Sequence, residues 1–242
     1  MRVDVYFTAS SVDQARIHDG TAVVIDVLRA TSCVVEALAN GARAVYPASE
    51  PEDALRLISS LGREDTLLCG ERQGRMIEGF DLGNSPAEFS AERVGGKRLV
   101  MSTTNGTRAL LTVMGAPSVL AASFLNLGAV VNALGGEDDA ILVCAGRQGR
   151  FALEDALCAG RILAALESRR EEGLSLNDAG RAARVLADAH EISAEVLRTT
   201  AGGQALVEIG LAEDLVLCAE VDRRAIVPEM KDRVIQASPT PS

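Results

Sequence analysis

The feature that most constrains this chain is an alternation. Apolar runs of strand length recur, and each leads through a loop into sequence that suits a helix. The first, TAVVIDVL, runs to Leu28, and RATS then opens an amphipathic stretch through Leu38. ARAVYPA follows, then SEPEDALRLISSLG, where Ser49 suits an N-cap and Pro51 an early helical position. Further runs are DTLLCG at 65–70, KRLVMS at 97–102, SVLAAS at 118–123 and DAILVCAG at 139–146. Such alternation predicts an α/β protein, with mostly parallel strands under helices on both faces. The chain has no Trp and only 3% aromatic residues, which suits that architecture better than an aromatic-rich binding face. The pattern from about Leu153 to Arg198 is mostly helical, and AGGQALVEIGLAEDLVLCAEVD predicts a further helix and a closing strand. No sequence repeat or low-complexity linker marks a boundary, so residues 1–235 read as a single domain and 236–242, QASPTPS, as a disordered tail.

Charge and composition exclude several functions. With 34 acidic against 24 basic residues the formal charge is −10, and that field repels a phosphate backbone, so nucleic acid is not an expected partner. A local Arg cluster can still capture a small anion, because a site responds to near charges more than to screened distant ones. No run approaches the roughly 20 apolar residues of a membrane helix. The opening MRVDVYFTAS lacks the apolar stretch of a signal peptide, so a cytoplasmic protein away from membranes is expected. The five cysteines are odd in number and scattered singly, which predicts buried thiols rather than a disulfide framework or zinc site. Two histidines, His18 and His190, are too few for a His-based metal centre, and no G-x-S-x-G or P-loop occurs.

In open parallel sheets ligands bind beyond the carboxyl ends of the strands, and four such loops carry chemistry here. IDVLRATS embeds Asp26 in an apolar run with Arg29 just after it; a carboxylate there needs a cation, a donor network or a metal. The competing reading is a structural pair with Arg29. A haloacid-dehalogenase nucleophile would have a second Asp two residues on, where this chain has Leu28. KRLVMSTTNGTRALL runs a strand into Ser102, Thr103, Thr104, Asn105 and Gly106 before a helix resumes, a donor-rich turn suited to an oxyanion, though a plain capped turn would look alike. CAGRQGRFALEDALCAG offers Arg147, whose guanidinium can fork onto a carboxylate, sulfonate or phosphate, and Glu154 and Asp155, which also fit a favourable helix-dipole role. CGERQGRMIEGFDLGNSP is a long Gly-punctuated loop supplying Glu71, Arg72, Glu78, Asp81, Asn84 and Ser85. Together the loops mix anion donors with oxygen ligands suited to hard Mg²⁺.

VVIDVLRATS, GERQG with GFDLGNSP, STTNGTRAL, CAGR with FALEDALCAG, and the tail GLAEDLVLCAEVDRRAIVPEM resemble, in this order, the 2-phosphosulfolactate phosphatases. The resemblance implies an α/β/α sandwich and Mg²⁺-dependent hydrolysis of 2-phosphosulfolactate to sulfolactate and phosphate, a step linked in methanogens to coenzyme M synthesis. On that reading Asp26 is principal metal ligand or nucleophile, and Glu71, Asp81 and Asp155 are further metal ligands or a general base. Arg29 and residues 102–106 take the phosphate, and Arg147 takes a second anionic group. Two rivals stay open: a noncatalytic carrier or sensor of small anions, and a Mg²⁺ phosphohydrolase whose substrate lacks a sulfonate. A homo-oligomer is also left open.

Overall fold

The computed structural model describes residues 1–238. Its elements run β1 (Arg2–Tyr6), β2 (Thr21–Ile25), α1 (Ala30–Ala39), β3 (Ala44–Pro47), α2 (Pro51–Leu61), β4 (Thr66–Arg72), β5 (Arg75–Met76), α3 (Ala91–Val94), β6 (Arg98–Ser102) and α4 (Gly106–Thr112). They continue β7 (Ser118–Ala122), α5 (Leu127–Ala133), β8 (Asp139–Cys144), α6 (Leu153–Glu167), β9 (Ser175–Leu176), α7 (Asp178–Ala189), α8 (Ala194–Thr199), α9 (Ala201–Glu208), α10 (Glu213–Cys218), β10 (Val227–Lys231) and β11 (Val234–Ser238). Each predicted run from β2 to β8 is a strand. The first stops at Ile25 instead of Leu28, because the Asp26 N–H donates to the Thr31 hydroxyl and the Thr31 N–H to the Asp26 carbonyl, which turns the chain into α1. Pro51 opens α2 as expected, but Glu50, not Ser49, is its N-cap; the Ser49 hydroxyl donates instead to Asp53.

All eleven strands form one sheet, in the order β5-β4-β6-β3-β11-β10-β7-β2-β8-β1-β9. Two parallel wings, β4-β6-β3 and β7-β2-β8-β1-β9, flank an antiparallel hairpin of β10 and β11. That hairpin corrects two expectations. The apolar run LVLC of residues 215–218 is helical, in α10, so the closing strand lies further on. A short apolar run does not by itself distinguish strand from helix, and Glu213 and Asp214 at its start favour a helix N-terminus. Gln236, Ala237 and Ser238 of the expected tail are paired in β11; the rest of that tail lies outside the described residues.

Three layers result. Alternate residues of each strand face opposite sides, and one face of both wings shares a core with α1 and α4: Val24 and Val143 from one wing, Leu99 and Met101 from the other, with Val34 and Leu110 between them. The sheet therefore curls round these two helices. On the opposite face Val23, Ile25 and Leu142 pack under α5 and α6, while α2 covers Leu68 and Val100. All five cysteines are free and buried. No helix among the described residues is long and apolar enough to cross a membrane.

Candidate active site

The curl brings the ends of β2, β4, β6 and β8 to a single open cavity of about 440 Å³, lined by residues of all four strand-end loops and by α9. Asp26, Arg29, Glu71, Thr103, Thr104, Asn105, Arg147 and Asp155 all border it, as do Arg72, Asn84, Gln148 and Glu154. Ser102 and Gly106 stand just behind: the Ser102 hydroxyl accepts from Arg72 at 3.0 Å, and Gly106 opens α4. Asp81 does not belong to the cavity. Its carboxylate accepts from the Leu68 N–H at 2.7 Å and from Arg63 at 2.9 Å, so it braces β4 from outside, and its expected role as metal ligand is withdrawn.

Two of the cavity's carboxylates act as clasps. Glu71 accepts from the N–H groups of Gly74 at 2.7 Å and Thr104 at 2.8 Å, one on each oxygen, tying the end of β4 to the loop after β6. Asp155 does the same for the other wing, accepting from Val27 at 2.9 Å and Gly146 at 3.1 Å. Asp26 and Glu154 differ. Asp26 accepts from the Ala30 N–H through Oδ1 at 3.2 Å, while its Oδ2 has no hydrogen-bond partner among the described residues; Oε2 of Glu154 is buried and has none. Two more buried oxygens in the cavity, Oδ1 of Asn84 and Oγ1 of Thr104, are likewise unpartnered. Buried polar atoms are nearly always satisfied, so these three buried oxygens on cavity-lining residues, together with the unpartnered Oδ2 of Asp26, ask for a ligand.

Close backbone approach makes room for the two carboxylates that keep an unpartnered oxygen. A Cβ on Gly106 would stand 2.6 Å from Asp26 Oδ2, and one on Gly202, at the start of α9, would stand 2.2 Å from Glu154 Oε1. Burial raises all three acids. Desolvation, opposed by the Ala30 N–H and reinforced by Glu71 and Glu154, lifts Asp26 to about 7. Desolvation also raises Asp155, with Asp26 and Glu154 adding repulsion, and raises Glu154, where Arg147 pulls the other way.

The cations have unequal freedom. Arg29 borders the cavity but is spent on protein: it pairs with buried Asp214 at 2.7 Å and donates to the Gly74 carbonyl at 2.7 Å, and Ser85 holds the other Asp214 oxygen. Arg147 makes no side-chain hydrogen bond or ion pair among the described residues. Its backbone belongs to a two-residue hairpin turn, in which Arg147 pairs with Arg150 across Gln148 and Gly149 at φ 53° and 73°. The same four residues, Arg-Gln-Gly-Arg, recur at the end of β4, where Arg72 pairs with Arg75 across Gln73 and Gly74 at φ 54° and 79°. Positive φ at both central residues is the I′ pattern of tight hairpins. The chain thus holds a short repeat, too brief to stand out in the sequence, and both copies line the cavity.

The family model for 2-phosphosulpholactate phosphatase matches residues 6–233. This chain belongs to that family. Relatives named "Probable 2-phosphosulfolactate phosphatase" include one from Caldanaerobacter subterraneus subsp. tengcongensis, 38% identical over 240 residues that cover 98% of this chain and 99% of the relative. Another, from Thermotoga petrophila, is 40% identical and covers 96% of each chain; a third, from Gloeobacter violaceus, is 41% identical and covers 94% of each. Family membership makes the chain a phosphoric monoester hydrolase by class, and four of the five sequence segments that carry the resemblance supply residues to the cavity.

Of the groups that converge there, sequence reasoning underrated Glu154, because an acid in the first turn of a helix is so often a dipole partner. It also missed Asp214, which lies far along the chain in α10 and reaches the site only through Arg29.

Proposed function

We propose that the protein is a Mg²⁺-dependent phosphatase that hydrolyses 2-phosphosulfolactate to sulfolactate and inorganic phosphate. The observation that carries this reading is the set of unpartnered oxygens on residues lining one cavity, Oε2 of Glu154, Oδ1 of Asn84 and Oγ1 of Thr104 with Oδ2 of Asp26, which an uncommitted Arg147 also lines. An anion site lined by buried carboxylates repels its own ligand unless a cation intervenes, which disfavours a metal-free carrier or sensor. Among the described residues no three His, Cys, Asp or Glu side chains are grouped as a metal cage. That suits Mg²⁺, which commonly uses one or two carboxylates with waters and substrate phosphate oxygens.

Asp26 and Glu154 would hold the ion, with Asn84 and Thr104 as neutral oxygen donors beside it, and Glu71 and Asp155 keeping their loops in register. When bound, Mg²⁺ supplies charge neutralisation at the phosphoryl oxygens. The chain's own part is positioning: phosphoryl transfer asks chiefly for in-line placement and preorganised charge. The Ser102–Gly106 loop faces the phosphoryl group, and Arg147 holds a second anionic group of the substrate. Hydrolysis then breaks the phosphorus bond to the C2 oxygen, and water supplies the new oxygen of phosphate.

The test is phosphate release from a panel of 2-phosphosulfolactate, 2-phospholactate and a simple alkyl phosphate, before and after exhaustive EDTA treatment and after Mg²⁺ is returned. The expected result is turnover that EDTA abolishes and Mg²⁺ restores, fastest on the sulfonate. Undiminished turnover in EDTA removes the metal from the reading, and equal rates on all three remove the substrate.

A further inference from the structure

The repeated Arg-Gln-Gly-Arg turn carries a prediction about substrate shape. At the first central position of an I′ turn the backbone prefers Asn, Asp or Gly, which tolerate positive φ best. This chain places Gln there twice, and both times at the mouth of the same cavity. The hairpin of β10 and β11, which does not line that cavity, has Asp232 at the corresponding position. Gln gives up local backbone preference for a longer amide. Gln73 and Gln148 are both exposed, and neither side chain is hydrogen-bonded among the described residues.

Resting on the proposed phosphatase reading, we infer that Gln148, beside Arg147, makes the second turn a three-oxygen grip that selects a sulfonate over a carboxylate at the far end of the substrate. A guanidinium fork presents two parallel N–H donors, which match the two oxygens of a carboxylate completely. A sulfonate is tetrahedral and carries a third oxygen out of that plane. The amide of Gln148, on the residue next to Arg147 and anchored by its own backbone N–H to Asn105 Oδ1 at 3.0 Å, supplies the extra donor. Phe151, just after the turn, stacks edge-to-face on Phe7 with ring centroids 5.1 Å apart, which fixes the turn's other end. Gln148 is a specificity residue on this account and has no part in bond breaking.

The test compares kcat/KM for 2-phosphosulfolactate and for 2-phosphomalate, which carries a carboxylate in place of the sulfonate, in the wild type and in Gln148→Met and Gln148→Glu. Met keeps the length without the donor; Glu replaces the donor by a charge that repels the sulfonate. The sulfonate-to-carboxylate ratio should fall about tenfold in the Met variant and further in the Glu variant, through KM, while thermal stability holds. A ratio that stays within twofold of wild type in both variants overturns the inference. Calorimetric titration with sulfolactate and malate reads the same preference with no phosphoryl group and no turnover. If wild type hydrolyses neither phosphate ester, the phosphatase reading fails, and the titration still decides: a sulfolactate preference lost in Gln148→Met upholds the grip, and its absence in wild type or survival in the variant overturns it.

Discussion

The turn at Arg72–Arg75 and the turn at Arg147–Arg150 share four residues and one backbone conformation, yet their leading arginines end in different states. Arg72 donates to the Glu71 carbonyl, the Ser102 hydroxyl and Glu50, and the Gly74 after it is held by Glu71 through its N–H and by Arg29 through its carbonyl. Arg147 is held by nothing but its own turn. Local sequence sets the hairpin; the neighbours set what the arginine is for. The first turn ends β4 in the middle of a crowd of loop donors and acceptors, and its cation is absorbed into the scaffold. The second lines the cavity, where Arg147 eases the buried carboxyl of Glu154 without bonding to it, and its cation stays available for a ligand.

The largest effect should come from Asp26, in the cavity that both turns line. Asp26→Asn keeps the shape but removes the charge that, on the proposed reading, holds a metal or attacks phosphorus, and turnover should fall about 100- to 1,000-fold, the scale on which one preorganised catalytic group counts. Circular dichroism and melting temperature check that the fold is intact. If kcat stays at the wild-type value, Asp26 belongs with the scaffold, as Arg72 does.

Next in size is a dependence of stability on pH in the metal-free protein. Asp26 is raised from an ordinary 3.8 to about 7, chiefly by burial, so the folded state holds its proton more tightly than the unfolded chain. Its stabilising contribution is complete below pH 4 and is lost as pH rises towards 7, on the order of 2–4 kcal/mol. Asp155 and Glu154 shift the same way. Urea denaturation in EDTA should therefore show the protein weakening between pH 5 and 7, and Mg²⁺ should flatten the profile. Arg147→Met should deepen the loss by withdrawing the cation that eases Glu154, whereas Arg72→Met should leave its shape alone. A flat profile in EDTA would show that the carboxylates are already compensated within the protein.

The arginines themselves give the direct contrast. Arg72→Met strands the buried Ser102 hydroxyl and frees the end of β4, so it should cost about 1–3 kcal/mol of stability and lower kcat on every substrate alike. With Mg²⁺ present, Arg147→Met should leave stability unchanged and raise KM about 10- to 100-fold for substrates with a second anion, with little effect on an alkyl phosphate. Equal losses on all substrates from Arg147→Met would place it on the phosphate or in the scaffold.

This asymmetry marks the limit of what the sequence discloses. Strands β2, β3, β4, β6, β7 and β8 were legible because Val, Leu and Ala crowd each run and, after all but β4, a helix follows, and the strand-end rule then pointed to the four loops that meet in the cavity; β5 lies in the stretch that reads as a long loop. Which carboxylates are clasps and which are free was not legible. Glu71, Asp81, Glu154 and Asp155 look alike as letters, and their roles depend on whether a backbone N–H from another loop comes within about 3 Å. The β10–β11 hairpin escaped because its strands are short and begin beyond a run that fits strand or helix equally. Strand β1 escaped because Arg2 and Asp4 break its apolar pattern.

The smallest predicted effect isolates the one residue type the two turns hold in common. Gln73→Asn and Gln148→Asn each put a better left-handed residue at a position with φ near 54°, so each should stabilise the protein slightly, by roughly 0.3–0.5 kcal/mol. Equal gains would confirm that the two backbones are equivalent. Function should separate them. Asn is one methylene shorter, so Gln148→Asn should draw the amide back from the substrate's far anion and raise KM for the sulfonate, while Gln73→Asn, on the turn whose arginine is already committed, should leave the sulfonate-to-carboxylate ratio where it was. Melting temperatures paired with kcat/KM on both substrates would show it. A gain in stability with no change of ratio at position 148 would mean that the longer amide serves neither turn nor ligand, and the repeat would then be a matter of backbone alone.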